Sequence, residues 1–384
     1  MIARVPGIRE ALAGRRIAVC VGSGGVGKTT VAAALALARA REGGRALVCT
    51  IDPARRLASA MGLSSLGNVE TEIPRGRLES AGAAATAGGH LFAMMLDVKR
   101  TWDDLIARHA PDPARRERIL QNRLYQQMSA ALAGSQEYMA MEKLYELATD
   151  RDYDLIVLDT PPTAHALDFL EAPDRILDFL GNDTARTLLA PAIGAGRFGF
   201  RLAQLGSGYL AKGLARFTGQ QALADLGEFL HGFQGMYEGF KARAASVRAL
   251  LAGPEVGFVL VASPTPPSLD EVLAFHRRLV AEGMPVAGVV VNRLTPALWT
   301  GPAPLPTPGE LAAPLRAAGI DARALAALPE RLAASLAEHE AMAAAEERAI
   351  ARLLAEVPGP RSLVPRLDGE VHDLAGLARL AARL

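Results

Sequence analysis

The stretch IAVCVGSGGVGKTT, residues 17–30, decides the fold class of this chain. Its first five residues, Ile17 to Val21, form a short apolar run that is typical of a buried strand. A glycine-rich loop follows, and the Ala- and Leu-rich stretch from Thr29 to Arg41 stops just before Gly43-Gly44, as a helix often does. The stretch therefore predicts a strand, a loop and a helix in succession.

The loop has the spacing of a phosphate-binding loop, with Gly22 followed after four residues by Gly27-Lys28-Thr29. Glycines let consecutive backbone N–H groups turn towards phosphate oxygens, and the start of the helix adds a favourable dipole. Lys28 is expected to reach the β- and γ-phosphates, and the Thr29 hydroxyl is expected to bind Mg²⁺. With ATP and Mg²⁺ as the predicted ligands, the predicted contacts are Gly22, Ser23, Gly24, Gly25, Val26, Gly27, Lys28, Thr29 and Thr30.

Two further apolar runs end in an aspartate. Tyr153 to Leu158 is followed by Asp159, and Arg45 to Ile51 is followed by Asp52. Because parallel strands present their carboxyl ends at one edge of a sheet, Asp159 is predicted to join Thr29 as a Mg²⁺ ligand. Asp52 is predicted to reach a water in line with the γ-phosphate. Capping of a turn is the alternative role for each aspartate.

Three more apolar runs complete the predicted sheet, namely Leu91 to Leu96, Val256 to Ala262 and Val286 to Val291. Such continuous runs are expected of strands that are buried on both faces, and helical patterns lie between them. The prediction is an α/β fold with a mainly parallel sheet and helices on both faces, of the P-loop NTPase type.

The segment from Asp174 to Leu251 differs from the rest, since it contains no convincing strand and holds most of the phenylalanines. Seven of the 11 Phe residues lie between 175 and 250, and apolar residues recur at helical spacing from Leu226 onwards. We predict an all-helical insertion, which divides the chain into 1–173, 174–252 and 253–384. One large domain with an insertion and two separate domains both fit this division. The helical stripe is either ordinary core or a groove for a hydrophobic client.

A Pro-rich segment, Trp299 to Pro314, is predicted to interrupt the chain before a long Ala- and Glu-rich helix that ends near Glu356.

Composition limits the kind of protein. Of 384 residues, 50% are hydrophobic and 22% are charged, which indicates a globular chain with a large core. The net charge of +1 argues against nucleic acid as a partner. No signal peptide and no long apolar span are evident, so a cytoplasmic protein with at most transient membrane association is expected. Cys20 and Cys49 lie in predicted strands without a CxxC pair, and a metal site made of cysteines is therefore not predicted.

Three motifs resemble those of the arsenite-pump ATPases and the ATPases that deliver tail-anchored membrane proteins, a family with a deviant Walker A loop. They are Gly24-Gly25-Val26-Gly27-Lys28-Thr29-Thr30, Asp52-Pro53-Ala54 and Asp159-Thr160-Pro161-Pro162-Thr163-Ala164-His165. Weaker similarities follow at Gly134 to Glu137, at Val291 to Leu294 and from Val364 to the end of the chain.

The resemblance implies several site roles. Asp52 would belong to switch I and position the attacking water, and residues 159–165 would form switch II. Asn292 would contact adenine, and the segment from Pro365 to Asp368 would pack on the base. The resemblance also implies a homodimer and a helical subdomain whose shape follows the nucleotide state.

The chain departs from the family pattern at two loop positions. Ser23 replaces the signature Lys of the family's P-loop, and Ala164 replaces the Gly of its switch II. The metalloid-binding cysteines and the zinc-binding CxxC of some relatives have no counterpart here.

These observations predict a Mg²⁺-dependent ATPase that couples ATP binding and hydrolysis to conformational change. A hydrophobic or tail-anchored client, or a membrane partner, is implied as its target. The motor subunit of an anion pump and a nucleotide-binding scaffold with negligible turnover are the alternatives.

Overall fold

The computed structural model describes residues 5–51, 56–110, 112–123, 125–126, 135–160, 237–299, 301, 304–321, 323 and 326–384. The strands are β1 (Ile17–Val21), β2 (Arg45–Thr50), β3 (Thr71–Glu72), β4 (His90–Met95), β5 (Leu155–Asp159), β6 (Val256–Ala262), β7 (Val286–Leu294) and β8 (Arg361–Pro365). They form one sheet in the order β3-β4-β2-β5-β1-β6-β7-β8. Every pair is parallel except β3 with β4.

The helices connect these strands across the sheet. They are α1 (Ile8–Ala11), α2 (Lys28–Arg41), α3 (Arg56–Ala60), α4 (Arg75–Ser80), α5 (Val98–His109), α6 (Pro113–Gln121), α7 (Ser135–Asp150), α8 (Tyr237–Leu251), α9 (Pro266–Ala281), α10 (Pro308–Ala317), α11 (Leu328–Glu356) and α12 (Leu374–Ala381).

The two faces of the sheet have separate hydrophobic cores, and β1 contributes to both of them. Ile17, Val19 and Val21 pack on the face that carries α5, α7, α8, α9 and α11. Ala18 and Cys20 pack on the opposite face, with α1, α2, α3, α4 and α12. All five residues are buried, which explains why this strand is apolar throughout instead of alternating. The predicted fold class, a mainly parallel sheet with helices on both faces, is confirmed.

The sequence did not reveal the two outer strands. β3 has two residues, and β8 alternates between buried and exposed positions, with Leu363 45% exposed. A short edge strand with one solvated face lacks the continuous apolar run by which the six inner strands were identified.

The Pro-rich segment was predicted to be a break, but part of it is helical. Helix α10 starts within it, because Thr307 and Glu310 form a capping box and Pro308 occupies the first turn, where proline is tolerated. The predicted end of the long helix near Glu356 agrees with α11.

Most of the predicted helical insertion, residues 174–236, lies outside the described residues, and the division into domains remains a prediction. Its last part is α8, whose Ala244, Val247 and Leu251 are buried in the core beneath α7. Among the described helices, none has the length and apolar character needed to cross a membrane.

Candidate nucleotide-binding site

The P-loop connects the carboxyl end of β1 to the first residue of α2, and at two of its three glycines with positive φ a side chain would also clash with the sheet. Gly22 has a φ of 150°, and a Cβ there would lie 2.0 Å from the carbonyl oxygen of Val261. Gly27, which precedes α2, has a φ of 96°, and its Cβ would lie 2.5 Å from Nδ2 of Asn292. These contacts with β6 and β7 press the loop against the sheet.

Lys28 is buried beneath the loop, with 6% of its surface exposed. Its Nζ donates to the carbonyl oxygens of Gly22 and Ser23, at 2.7 Å each. The hydrogen bonds to these two carbonyl oxygens offset part of the free-energy cost of burying the ammonium group. The lysine is therefore placed to attract an anion to the loop.

Asp159 ends β5 next to the P-loop, because β5 lies between β1 and β2 in the sheet. Its Oδ2 accepts hydrogen bonds from Oγ1 of Thr29 and from Oγ1 of Thr50, both at 2.7 Å. The predicted Mg²⁺ ligands Thr29 and Asp159 are thus close enough to share one coordination shell. A hydroxyl beside a carboxylate suits a hard cation that prefers oxygen, so these residues fit Mg²⁺.

Two strand ends add contacts that the sequence did not predict. Thr50 closes β2 and holds Asp159, as described above. Thr160, which follows β5, donates from Oγ1 to the carbonyl oxygen of Cys20 at 2.8 Å. A threonine at the end of a strand is common, and only the sheet order brings Thr50 to Asp159 and Thr160 to the end of β1.

Ser23 occupies the position of the family's signature lysine. Its Oγ lies 2.9 Å from Oγ of Ser268 in α9, and that oxygen also accepts a hydrogen bond from the backbone N–H of Ser263 at 3.0 Å. The side chain of Ser23 is therefore held within its own chain, against α9.

Asn292 and Arg293 approach the P-loop from the end of β7. Asn292 is buried, and its Nδ2 donates to the carbonyl oxygen of Val26 at 2.8 Å. Nη1 of Arg293 donates to the carbonyl oxygen of Gly25 at 3.0 Å. The role of Asn292 at adenine remains a prediction, and its described contact is with the loop.

A cavity of about 920 Å³ opens in front of the loop, at the carboxyl edge of the sheet. Its lining residues are Gly25, Gly27, Lys28, Thr29, Thr30, Arg56, Ser59, Ala60, Thr160, Asn292, Arg293, Pro365, Arg366, Leu367, Gly369, Glu370, Val371, His372 and Leu380. Four of them carry a positive charge, so the cavity suits a large anion.

The remaining predicted site residues lie at the margins of this cavity. Gly22, Ser23, Gly24 and Val26 belong to the loop but do not line it. From the C-terminal segment, Pro365 lines the cavity, whereas Asp368 is exposed and does not. The predicted packing of this segment on the adenine base would therefore involve the neighbours of Asp368, such as Pro365.

The predicted catalytic Asp52 lies outside the described residues. Ile51, directly before it, is buried, and its carbonyl oxygen accepts a hydrogen bond of 3.1 Å from Nε2 of Gln136 in α7. Gln136 belongs to a motif that the sequence singled out without assigning a role to it.

Both cysteines are buried, as the sequence predicted. Burial raises the pKa of the Cys49 thiol to about 12, and it also raises the pKa of Cys20, where nearby Asp159 adds to the effect. Neutral buried thiols are poor metal ligands. No cluster of three or more His, Cys, Asp or Glu that could hold a metal occurs in the described part of the chain.

Comparisons with known proteins agree with this geometry. Residues 15–192 match the model of a family described as anion-transporting ATPases, a stretch that begins two residues before β1 and includes the P-loop and Asp159. An uncharacterised protein of Streptomyces coelicolor is 28% identical over 284 residues, which are 73% of this chain and 63% of that protein.

Other relatives have names that include an activity, and two of them serve as examples. ATPase GET3A of Arabidopsis thaliana is 29% identical over 152 residues, 40% of this chain and 36% of that protein. ATPase get3 of Neurospora crassa is 26% identical over 274 residues, 71% of each chain. This chain spans less than two thirds of the Streptomyces and Arabidopsis proteins. The matches show that the chain is similar to ATPases of the ArsA/GET3 type, with the family model covering its residues 15–192.

Proposed function

We propose that this chain is a Mg²⁺-dependent ATP hydrolase. The observation that supports it best is that Lys28 and Thr29 line the 920 Å³ cavity and that Asp159 accepts a hydrogen bond from the Thr29 hydroxyl. An ammonium group and a hydroxyl at the start of a helix, together with a carboxylate at the end of a strand, are the groups that P-loop enzymes use to hold a nucleotide and its metal.

The residues of the proposed site have two roles, because some bind the nucleotide and its metal and one orients the attacking water. Lys28 and the N–H groups of the loop would bind the β- and γ-phosphate oxygens, and the positive end of α2 would favour their negative charge. Thr29 and Asp159 would hold Mg²⁺, which supplies stabilisation of the charge on the phosphate oxygens. Asp52 would orient the attacking water and accept its proton.

A phosphate-release assay with three variants tests this proposal. Lys28→Ala removes the charge beneath the loop, and Asp52→Asn removes only the carboxylate charge of the proposed base. Asp321→Asn changes an exposed aspartate that does not line the cavity and serves as the matched control.

We expect Asp52→Asn to bind ATP with near-native affinity and to hydrolyse it at least about 100-fold more slowly, since a positioned general base contributes about 10²–10⁴ in rate. The control should match the wild type. Turnover of the wild type at the level of Lys28→Ala would contradict the proposal and favour the nucleotide-binding scaffold.

We infer further that α7 transmits the conformational change between nucleotide states to the helical segment. Gln136 near the start of α7 holds the carbonyl oxygen of Ile51. Further along α7, Glu142 is buried and accepts hydrogen bonds from the Tyr138 hydroxyl at 3.0 Å and from Nε of Arg243 in α8 at 2.8 Å. One helix thus contacts both the start of the proposed switch I and the last helix of the predicted insertion.

Amide hydrogen exchange of residues 237–251 tests this coupling. We expect ATP to change the exchange of α8 in the wild type and in the control Thr149→Ala, which alters an exposed threonine of the same helix. In Gln136→Ala the ATP-induced change should be lost while ATP still binds. A full response of α8 in that variant would disprove the route through α7.

The molecule on which the proposed ATPase acts is inferred from the family resemblance alone. Homodimer formation and a hydrophobic or tail-anchored client support each other, because a dimer can enclose an apolar segment between two helical subdomains. An anion-pump motor is the second candidate, since the matching family is described as anion-transporting. Both cysteines are buried in strands, which argues against metalloid sensing by thiols.

A pull-down with Asp52→Asn, in which hydrolysis is blocked, separates these targets. Recovery of membrane proteins with a single C-terminal span supports client delivery, and recovery of a polytopic membrane protein supports the pump. Light scattering with and without a chelator should show the same nucleotide-dependent dimer, because no cysteine pair is available for a zinc bridge.

A further inference from the structure

Arg293 has an unusual backbone conformation beside the P-loop. It has a φ of 66°, and no other described residue except glycine has a positive φ. A long side chain in the left-handed region costs stability, and residues held in this way concentrate at functional sites. The left-handed backbone at Arg293 therefore indicates that this residue has a role at the P-loop.

The pairing of β7 with β8 explains part of this conformation. Asn292 pairs with Val364 and Leu294 pairs with Pro365, so that Arg293 is an extra residue in β7 relative to β8. A bulge of this kind leaves one residue unpaired and redirects its side chain. Here the redirected guanidinium group reaches the carbonyl oxygen of Gly25 at 3.0 Å and lines the 920 Å³ cavity.

The two neighbouring residues of β7 hold two consecutive peptide groups of the loop. Asn292 donates to the carbonyl oxygen of Val26, and Arg293 donates to that of Gly25. In a trans peptide the N–H group points away from the C=O group of the same unit. The N–H groups of Val26 and Gly27 therefore point to the side of the loop away from these two donors.

We propose that Arg293 is a positioning residue of the nucleotide site, which fixes the Gly25–Val26 peptide group so that its N–H is oriented for a phosphate oxygen before ATP arrives. Lys28 holds the carbonyls of Gly22 and Ser23 in the same way at the start of the loop. Donors that are already oriented bind without the cost of ordering the loop. This inference rests on the proposed binding of ATP.

Substitutions at position 293 separate positioning from a merely structural role. Arg293→Gly removes the guanidinium group and relieves the left-handed backbone, whereas Arg293→Asn keeps a residue that tolerates this conformation but is too short to reach Gly25. Arg293→Lys keeps a long cationic donor. Arg323→Gly, at an exposed arginine that does not line the cavity, is the control.

Calorimetry should give a dissociation constant for ATP that is about tenfold higher in Arg293→Gly and Arg293→Asn, a factor that corresponds to about 1.4 kcal/mol. Arg293→Lys should recover most of the affinity, and Arg323→Gly should match the wild type. The Tm of nucleotide-free Arg293→Gly should stay within about 2 °C of the wild type, because relief of the backbone offsets the lost hydrogen bond.

Amide exchange of residues 22–30 in the nucleotide-free protein completes the test. Faster exchange in Arg293→Gly is the expected result. Unchanged exchange together with weaker binding would mean that Arg293 contacts the ligand directly, and unchanged affinity would mean that it does nothing for binding. Either result overturns the proposal. If the wild type bound no ATP, the proposed function would fail, and the exchange rates would still decide whether Arg293 orders the loop.

Discussion

The two ends of β1 both carry a glycine and positive charges, yet they place those charges in opposite surroundings. Before the strand, at the amino edge of the sheet, a cavity of about 300 Å³ is lined by arginines and carboxylates together. Arg39 lies 3.6 Å from Asp154 and 3.9 Å from Glu42, and Arg9 also pairs with Glu42. Arg9, Arg16 and Arg39 are thus paired with carboxylates, whereas Arg15 donates to the carbonyl oxygen of Val256.

After the strand, at the carboxyl edge, the cations donate to backbone carbonyls instead. Lys28 holds Gly22 and Ser23, and Arg293 holds Gly25. A carbonyl oxygen satisfies an N–H donor but does not cancel its charge, so the guanidinium group of Arg293 can still attract an anion. Helix α2 adds to the contrast, because its positive end lies at the loop, while Arg39 and Arg41 occupy its last turn. We therefore expect anion binding at this edge to depend on the surroundings of the charges and less on their number.

Two aspartates at opposite ends of β5 give the largest expected difference. We expect Asp159→Asn to lower kcat by about 10³-fold, because a bound metal supplies several kcal/mol of charge stabilisation in such reactions. Asp154→Asn should leave kcat unchanged, since its carboxylate accepts from the backbone N–H of Arg45 at the other edge. Phosphate release at saturating ATP and Mg²⁺ measures both. Equal losses in the two variants would remove the distinction between the edges.

The glycines at the two ends of β1 form the second pair. Both have a positive φ, 82° at Gly14 and 150° at Gly22, but a Cβ at Gly14 would meet nothing within 4 Å. Gly14→Ala should cost about 1 kcal/mol of unfolding free energy from the backbone alone. Gly22→Ala should cost more than about 3 kcal/mol, since it adds a clash with the backbone of Val261. Urea unfolding of the two nucleotide-free variants measures both losses of unfolding free energy. Losses of equal size would show that the loop can move away from β6 without cost.

The same contrast explains what the sequence could predict. β1, the P-loop and α2 were evident because apolar runs, glycines and a lysine stand at fixed local spacing. The sequence also placed Asp159 at the loop, because parallel strands share an edge. Arg293 was missed, since 268 residues separate it from Gly25 and only the bulge in β7 directs it there. The expected contact of Asp368 with the base remains a prediction, because the resemblance locates its segment, of which Pro365 and Leu367 line the cavity, but does not locate its side chain.

Lys28 and Arg39 lie near opposite ends of α2 and form the third pair. Lys28→Ala should raise the dissociation constant for ATP by about 10- to 100-fold, because a hydrogen bond to a charged group is worth about 1.5–3 kcal/mol. The buried site screens this interaction little. Calorimetry at low and at physiological salt measures it. An affinity that is unchanged at both salt concentrations would refute the nucleotide site itself.

Arg39→Ala is the smallest expected effect, and it tests whether the amino edge is as neutral as its ion pairs suggest. The side chains of Arg39, Glu42 and Asp154 are 41%, 45% and 48% exposed, so that solvent and salt screen their attraction. Exposed pairs of this kind contribute about 0.2–1 kcal/mol. We expect a loss of unfolding free energy below about 1 kcal/mol that shrinks further in 1 M salt, together with unchanged affinity for ATP. Urea unfolding at two salt concentrations measures the first, and calorimetry measures the second. A weaker affinity for ATP in Arg39→Ala would mean that charge at the amino edge acts through α2 on the loop, and the two ends would then have to be treated as one electrostatic unit.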